Sequence, residues 1–131
     1  KHITSNLNVT DIIADYNKIY AATNGGLIIL DQEDQSLNNL SFNHNINPLD
    51  LKSIYIDSNK NILLGSNGPV ASIQLLNSNY NHINTVFLDG IEGVAQITQM
   101  IEFNNNIYAV GRGTELDFFI EFRFSFTCFC L

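Results

Sequence analysis

The sequence predicts an all-β fold assembled from a repeated antiparallel unit. Three observations carry this reading. Short apolar runs of four or five residues alternate with turn residues along the chain. No apolar stripe holds helical spacing for ten residues. The pattern of runs and breaks then recurs at a period in the low forties.

The first unit begins with "VTDIIAD", residues 9–15, followed by a polar break at Tyr16-Asn17-Lys18. "IYAAT", "NGG" and "LIILD" follow, so strands are expected over 9–15, 18–23, 26–31 and 37–43. "LKSIYID-SNKN-ILLGS-NGPVA-SIQLLN" repeats the pattern and predicts strands over 51–57, 61–66, 71–77 and 83–88. "ITQMIEF-NNN-IYAVG-RG-TELDFFIEF" gives 95–103, 106–111, 116–122 and a final candidate over 124–130. Aligned on Ile19-Tyr20, Ile62-Leu63 and Ile107-Tyr108, the units are offset by 43 and 45 residues.

A period of this length, with about four short strands in each, is the pattern of propeller blades. The expected fold is therefore a partial β-propeller of about three four-stranded antiparallel blades. It forms one domain over residues 1–131, with repeat units at about 9–50, 51–94 and 95–131. Inner blade strands are covered on both sides and read as continuous apolar runs, as "IYAA", "LIIL" and "ILL" do. The outer "SLNNLSFN" is polar, as an outer strand should be. Three blades fall short of the roughly four to eight that close a ring, which implies a fragment of a longer chain or self-association through open blade faces.

"LKSIYIDSNKNILLGSNG" and "VTDIIADYNKIYAATNGGLIILD" resemble the propeller repeat of extracytoplasmic sensor regions in two-component regulators. That repeat joins an apolar strand, an Asp, a polar turn, a second strand and a Gly. The likeness spans residues 9 to about 111, with Tyr20, Leu63 and Tyr108 where the repeat carries Trp. It implies a structural or ligand-sensing module of periplasmic or extracellular location, within a much longer receptor.

Composition narrows the function classes. The net charge is −7, and six basic residues are scattered over 131 positions. Nucleic acid is excluded, because neutralising phosphates needs clustered Lys and Arg. No apolar run reaches the ~18 residues of a membrane span. Polarity comes from 19 Asn rather than from charge. Cys128 and Cys130 lie on one side of a strand about 7 Å apart, too far for a comfortable bridge. The sequons at Asn8 and Asn39 are what an Asn-rich chain offers by chance.

Each motif has a plain structural account. Gly25-Gly26 precedes a β run rather than a helix, so it reads as a tight turn and not a phosphate cradle. Gly68-Pro69 and Gly111-Arg112-Gly113 read as further turns. Asp57-Ser58-Asn59-Lys60-Asn61 has calcium-loop spacing, but Ile62 and Gly68 stand where an EF-hand needs Gly and Glu. It reads as a hairpin turn with local side-chain bonds. Asp31, Glu33 and Asp34 read as a solvated loop. His44 and His82 lack a partner at ligand spacing, and no nucleophile elbow occurs. No catalytic residue, metal or cofactor is expected.

The tail "DFFIEFRFSFTCFCL" alternates as an amphipathic strand, yet departs from the Asn-rich body. Two readings stand: a last strand of the third unit, or residues read out of frame. The expected function is a non-catalytic ligand-binding or sensing module for a small molecule or carbohydrate. Asn24, Asp31, Glu33, Asn67 and Arg112 are its candidate contacts, because the loops at a ring's mouth reach the ligand. The alternative is a structural or protein-docking propeller of a secreted or surface assembly. An enzyme such as a lyase or lactonase would need clustered His or carboxylates, which no spacing here shows.

Overall fold

The structure, a computed structural model, describes residues 7–88, 94–113, 117–122 and 126–130, with side chains described over 7–88 and 96–113. These residues form three four-stranded antiparallel sheets, each a simple meander. Sheet 1 holds β1 (Val9–Asp15), β2 (Lys18–Thr23), β3 (Gly26–Asp31) and β4 (Leu37–Leu40). Sheet 2 holds β5 (Leu51–Ile56), β6 (Ile62–Ser66), β7 (Ser72–Leu76) and β8 (His82–Phe87). Sheet 3 holds β9 (Val94–Phe103), β10 (Asn106–Gly113), β11 (Asp117–Phe122) and β12 (Phe126–Cys130). The chain is all-β, and the strands fall where the alternation of apolar runs and turn residues puts them.

Two expectations need correction. The strand expected over 37–43 stops at Leu40, and Phe42–His44 forms a 3-10 turn instead. The Ser41 N–H donates to His44 Nδ1 at 3.2 Å, and Asn45 closes the turn at φ +63°. Gly111-Arg112-Gly113 is not a turn: β10 continues through it, with Gly111 paired to Ile97 on one side and Phe118 on the other. The final candidate strand is present as Phe126–Cys130, shorter than 124–130.

Turn chemistry explains the asparagine content. Asp57 Oδ1 accepts from the N–H groups of Asn59 and Asn61 at 2.9 and 2.8 Å, and Lys60 sits at φ +66°. The β7–β8 turn copies this loop with an amide. Asn77 Oδ1 accepts from Asn79 and Asn81 at 2.9 and 3.0 Å, and Tyr80 sits at φ +67°. Asn104 and Asn105 both have positive φ, as a tight two-residue hairpin requires. Short Asx side chains thus satisfy turn amides that no ladder reaches.

Successive sheets stack face to face. Tyr20, Ala22, Leu27, Ile29 and Leu40 of sheet 1 bury against Ile54, Ile62, Leu64 and Leu76 of sheet 2. The opposite face of sheet 2, with Leu63 and Ile73, meets Ile97, Ile107 and Ala109 of sheet 3. Each such Leu or Ile contributes roughly 1.5–3 kcal/mol when fully buried. The first strands carry matching irregularities: the register shifts at Thr10 in β1, Lys52 in β5 and Thr98 in β9. These shifts turn polar groups toward the neighbouring sheet. Thr10 Oγ1 donates to Leu51 O at 2.7 Å, and Ser53 Oγ donates to Ile97 O at 2.7 Å. Asp11 Oδ2 accepts from the Ile54 N–H at 3.0 Å.

Candidate functional site

The antiparallel meander gives each sheet two ends, and the sequence-predicted contacts divide between them. Asn24, Asn67 and Arg112 lie at the end that carries the β2–β3, β6–β7 and β10–β11 connections. They occupy one equivalent position, because their spacings of 43 and 45 residues are the repeat offsets. Each meets the residue at the start of its own sheet. The Asn24 N–H donates to Asn8 O at 3.2 Å, and Asn24 Oδ1 accepts from the Asn8 N–H at 3.0 Å. Asn67 repeats the backbone bond, its N–H donating to Asp50 O, but its side chain donates instead, from Nδ2 to Asp50 Oδ2, both at 2.8 Å. Arg112 is the ladder partner of Gln96, and Gln96 also bridges to Asn67. Asn67, Gln96 and Arg112 therefore form a continuous polar row across sheets 2 and 3.

Asp31 and Glu33 lie at the opposite end, away from that row. Asp31 Oδ1 accepts from the Glu33 N–H at 2.9 Å, and Asn17 Nδ2 donates to Glu33 Oε2 at 3.0 Å. Lys18 Nζ stands 3.9 Å from Asp31 and donates to Tyr80 Oη at 3.3 Å. Tyr20 Oη and Tyr80 Oη lie 3.2 Å apart, with their rings edge to face. This network locks the β7–β8 turn of sheet 2 onto sheet 1. Burial, and then the hydrogen bond to Tyr80, push the Tyr20 hydroxyl above its ordinary range. The hydrogen bond to Tyr80 likewise raises Lys18.

Both shifts have the same consequence for stability. The folded state holds these protons more tightly than the unfolded chain does. Their contribution is complete below about pH 10 and declines as pH rises beyond it. Tyr20→Phe is expected to flatten the decline between about pH 10 and 12 by up to ~1.4 kcal/mol per pH unit. Urea midpoints measured across that range check this, and parallel profiles for both proteins would contradict it.

At the same end, sheets 2 and 3 enclose a groove of about 580 Å³. Leu63, Leu75, Ile83 and Ile107 form its apolar surface. Asn59, Asn61, Asn84, Asn105 and Asn106 line its polar side with Asp57. Asp57 is committed to its own turn, and Asn61 Nδ2 donates to Asp57 Oδ2 at 3.2 Å. Ser58 N–H and Oγ donate to the two oxygens of Glu102 at 2.9 and 2.8 Å, tying the sheets together near this groove. Carboxamides over aliphatic carbon suit a neutral, hydroxyl-rich ligand. The volume falls within the range of ~300–1,000 Å³ typical of small-molecule sites.

A second cleft, about 390 Å³, follows the first strands of all three sheets and contains Asp11, Tyr55, Gln99 and Tyr108. The histidines have local partners: His44 accepts from Ser41, and His82 Nε2 lies 2.7 Å from Thr85 Oγ1. Among the described residues no three His, Cys, Asp or Glu gather where they could hold a metal. Nor is any helix there long and apolar enough to cross a membrane. Cys128 and Cys130 lie outside the described side chains.

The groove asparagines are absent from the sequence-derived contacts. One signal was available: Asn61 and Asn106 are 45 residues apart, the second repeat offset.

Fold and site together define a repeat of antiparallel four-stranded sheets with a polar groove between neighbours. The sequence matches no family model and no curated protein. The structure is similar to the crystal structure of a protein of unknown function from Bacteroides caccae, with a TM-score of 0.66 at 13% identity. The match covers 97% of this chain and 46% of that one, so the chain spans about half the length of that protein.

Proposed function

We propose that the chain is part of a β-propeller whose blades are the three sheets, and that it acts as a non-catalytic ligand-binding module. The observation that carries this reading is the groove between sheets 2 and 3, where five asparagines face an aliphatic surface. Its ligand class is a carbohydrate or a similarly hydroxylated small molecule. Carboxamides supply both donors and acceptors to hydroxyl groups, and the aliphatic side meets the C–H face of a sugar ring. The resemblance of residues 9 to 111 to sensor propellers supports a periplasmic or extracellular receptor as the longer context.

Isothermal titration against a panel of mono- and oligosaccharides tests the proposal. A saturable ligand is expected, and Asn84→Ala and Asn106→Ala should each weaken it about tenfold, the loss of one well-placed hydrogen bond. Their thermal midpoints should remain near the parent value. Binding that survives both substitutions moves the site elsewhere, and a panel without any binder removes the carbohydrate reading. Exposed Phe42 and Phe87 favour the alternative of a protein-docking propeller. That alternative predicts a stable protein partner and no sugar-dependent shift in melting.

A further inference from the structure

The groove between sheets 2 and 3 has a counterpart between sheets 1 and 2, at the same end of the stack. This cleft holds about 310 Å³, and its lining includes Asp15, Lys18, Tyr20, Lys60, Ile62 and Tyr80. The repeat offsets match the two linings. Lys18 and Tyr20 correspond to Asn61 and Leu63, 43 residues on. Lys60 and Ile62 correspond to Asn105 and Ile107, 45 residues on. The cleft thus keeps one isoleucine of the groove, carries lysine at two of its carboxamide positions, and carries tyrosine at one aliphatic position.

These exchanges change what the recess can hold. Lys18 and Lys60 outnumber Asp15 among the charged residues that line it, in a chain of net charge −7. Lys60 Nζ meets Asp15 Oδ1 at 2.7 Å, and its side chain stays 60% exposed. Lys18 Nζ donates to Tyr80 Oη at 3.3 Å, while Asp31 stands 3.9 Å away, beyond hydrogen-bond distance. An ammonium carries three hydrogens, so Lys18 keeps donors beyond the one Tyr80 accepts. Tyr20 Oη and Tyr80 Oη share one hydrogen bond at 3.2 Å. Two phenols own two hydrogens, so one remains to donate where both rings line the cleft. Tyr20 is buried, which holds this donor in place.

We infer that the cleft between sheets 1 and 2 is a second ligand site, selective for a sugar acid, a hydroxylated ring that bears a carboxylate. The carboxylate accepts from the Lys18 ammonium and the phenol pair, and charge-assisted bonds of this kind are the strong ones. Lys60 adds a second cation at the rim. Ile62 and the tyrosine rings give the sugar its apolar wall. A carboxylate suits the cleft better than a phosphate monoester, whose second charge would meet Asp15 and Asp31. The inference rests on the ligand-binding reading above for its hydroxylated ligand, and departs from it in place and in charge.

Isothermal titration with glucuronate and galacturonate, beside glucose and galactose, tests it. A saturable sugar acid is expected, and its binding should weaken as salt is added. Lys18→Gln and Lys60→Gln should each weaken the acid about tenfold or more, and leave a neutral sugar in the sheet 2–sheet 3 groove unaffected. Asn84→Ala should do the reverse. Circular dichroism confirms folding, and Lys60→Gln, altered at an exposed tip, carries the comparison if Lys18→Gln unfolds the chain. No saturable heat with either acid at up to about 10 mM overturns the inference. So does acid binding that ignores both lysine variants, or that Asn84→Ala abolishes, and so does inorganic phosphate that competes as well as the uronates. A neutral panel without a binder, beside an acid that needs Lys18 and Lys60, removes the carbohydrate reading of the groove and leaves this site standing.

Discussion

Replacing Gly26 by alanine is expected to cost about 3–5 kcal/mol, enough to unfold most of a marginally stable domain. Two effects combine. Gly26 opens β3 at φ +119°, a conformation that residues with a Cβ rarely adopt. A Cβ there would also stand 2.3 Å from Leu40 O and 3.3 Å from Leu40 C. These are backbone atoms of β4, so relief requires moving the strand. Thr23 tightens the same corner, its Oγ1 donating to Gly26 O at 2.7 Å and accepting from the Gly25 N–H at 3.1 Å. Gly25 is the control. Its added Cβ would meet only the end of the Leu7 side chain, which can turn away, and Gly25→Ala should cost below about 1 kcal/mol. Chemical denaturation of both variants checks the contrast, and equal costs would refute it.

Strand placement was legible because the breaks are chemical. Asp57 and Asn77 announce turns through side chains that bond their own backbone, and the Asn104-Asn105 pair through a residue type that tolerates positive φ. The left-handed positions of Tyr16, Lys60 and Tyr80 were not legible, since nothing in those residue types favours positive φ. There the Asx residue at the head of the loop, or the ladder on either side, imposes the conformation. Glycine misled at Gly111 because it has two uses. It permits turns, and it also lets neighbouring sheets approach. Gly65 shows the second use: a Cβ would come within 2.2 Å of Ser53 Oγ and 2.8 Å of Ile97. Gly111 is likewise buried inside a strand. Periodicity along one strand does not report which sheet stacks on it.

The same limit divides the site. Asn24, Asn67 and Arg112 share a repeat position, so sequence alone gathers them at one end, and Asp31 and Glu33 go to the other end by strand direction. The groove needs a further fact, the stacking of sheet 3 on sheet 2. Asn84 in β8 and Asn106 in β10 meet only through that non-local contact. The abundance of asparagine hid them, since Asn45, Asn77, Asn104 and Asn105 serve turns. What separates Asn84 is its place inside a strand, where a turn role is unavailable.

Stacking also sets how two apolar residues on the same repeat face respond to truncation. Leu64 of sheet 2 is fully buried, with sheet 1 over it and the ladder partners Ile54 and Gln74 beside it. Leu64→Ala removes three methylene equivalents and leaves a cavity between rigid sheets, and about 3–5 kcal/mol should be lost. Ile28 of sheet 1 lies on the corresponding face with no described sheet above it. Ile28→Ala should cost about 1 kcal/mol. Urea denaturation of both variants at low micromolar protein measures the difference. A loss at Ile28 as large as at Leu64 would mean that the face of sheet 1 is already covered within a single chain, and the order of the stack would have to be redrawn.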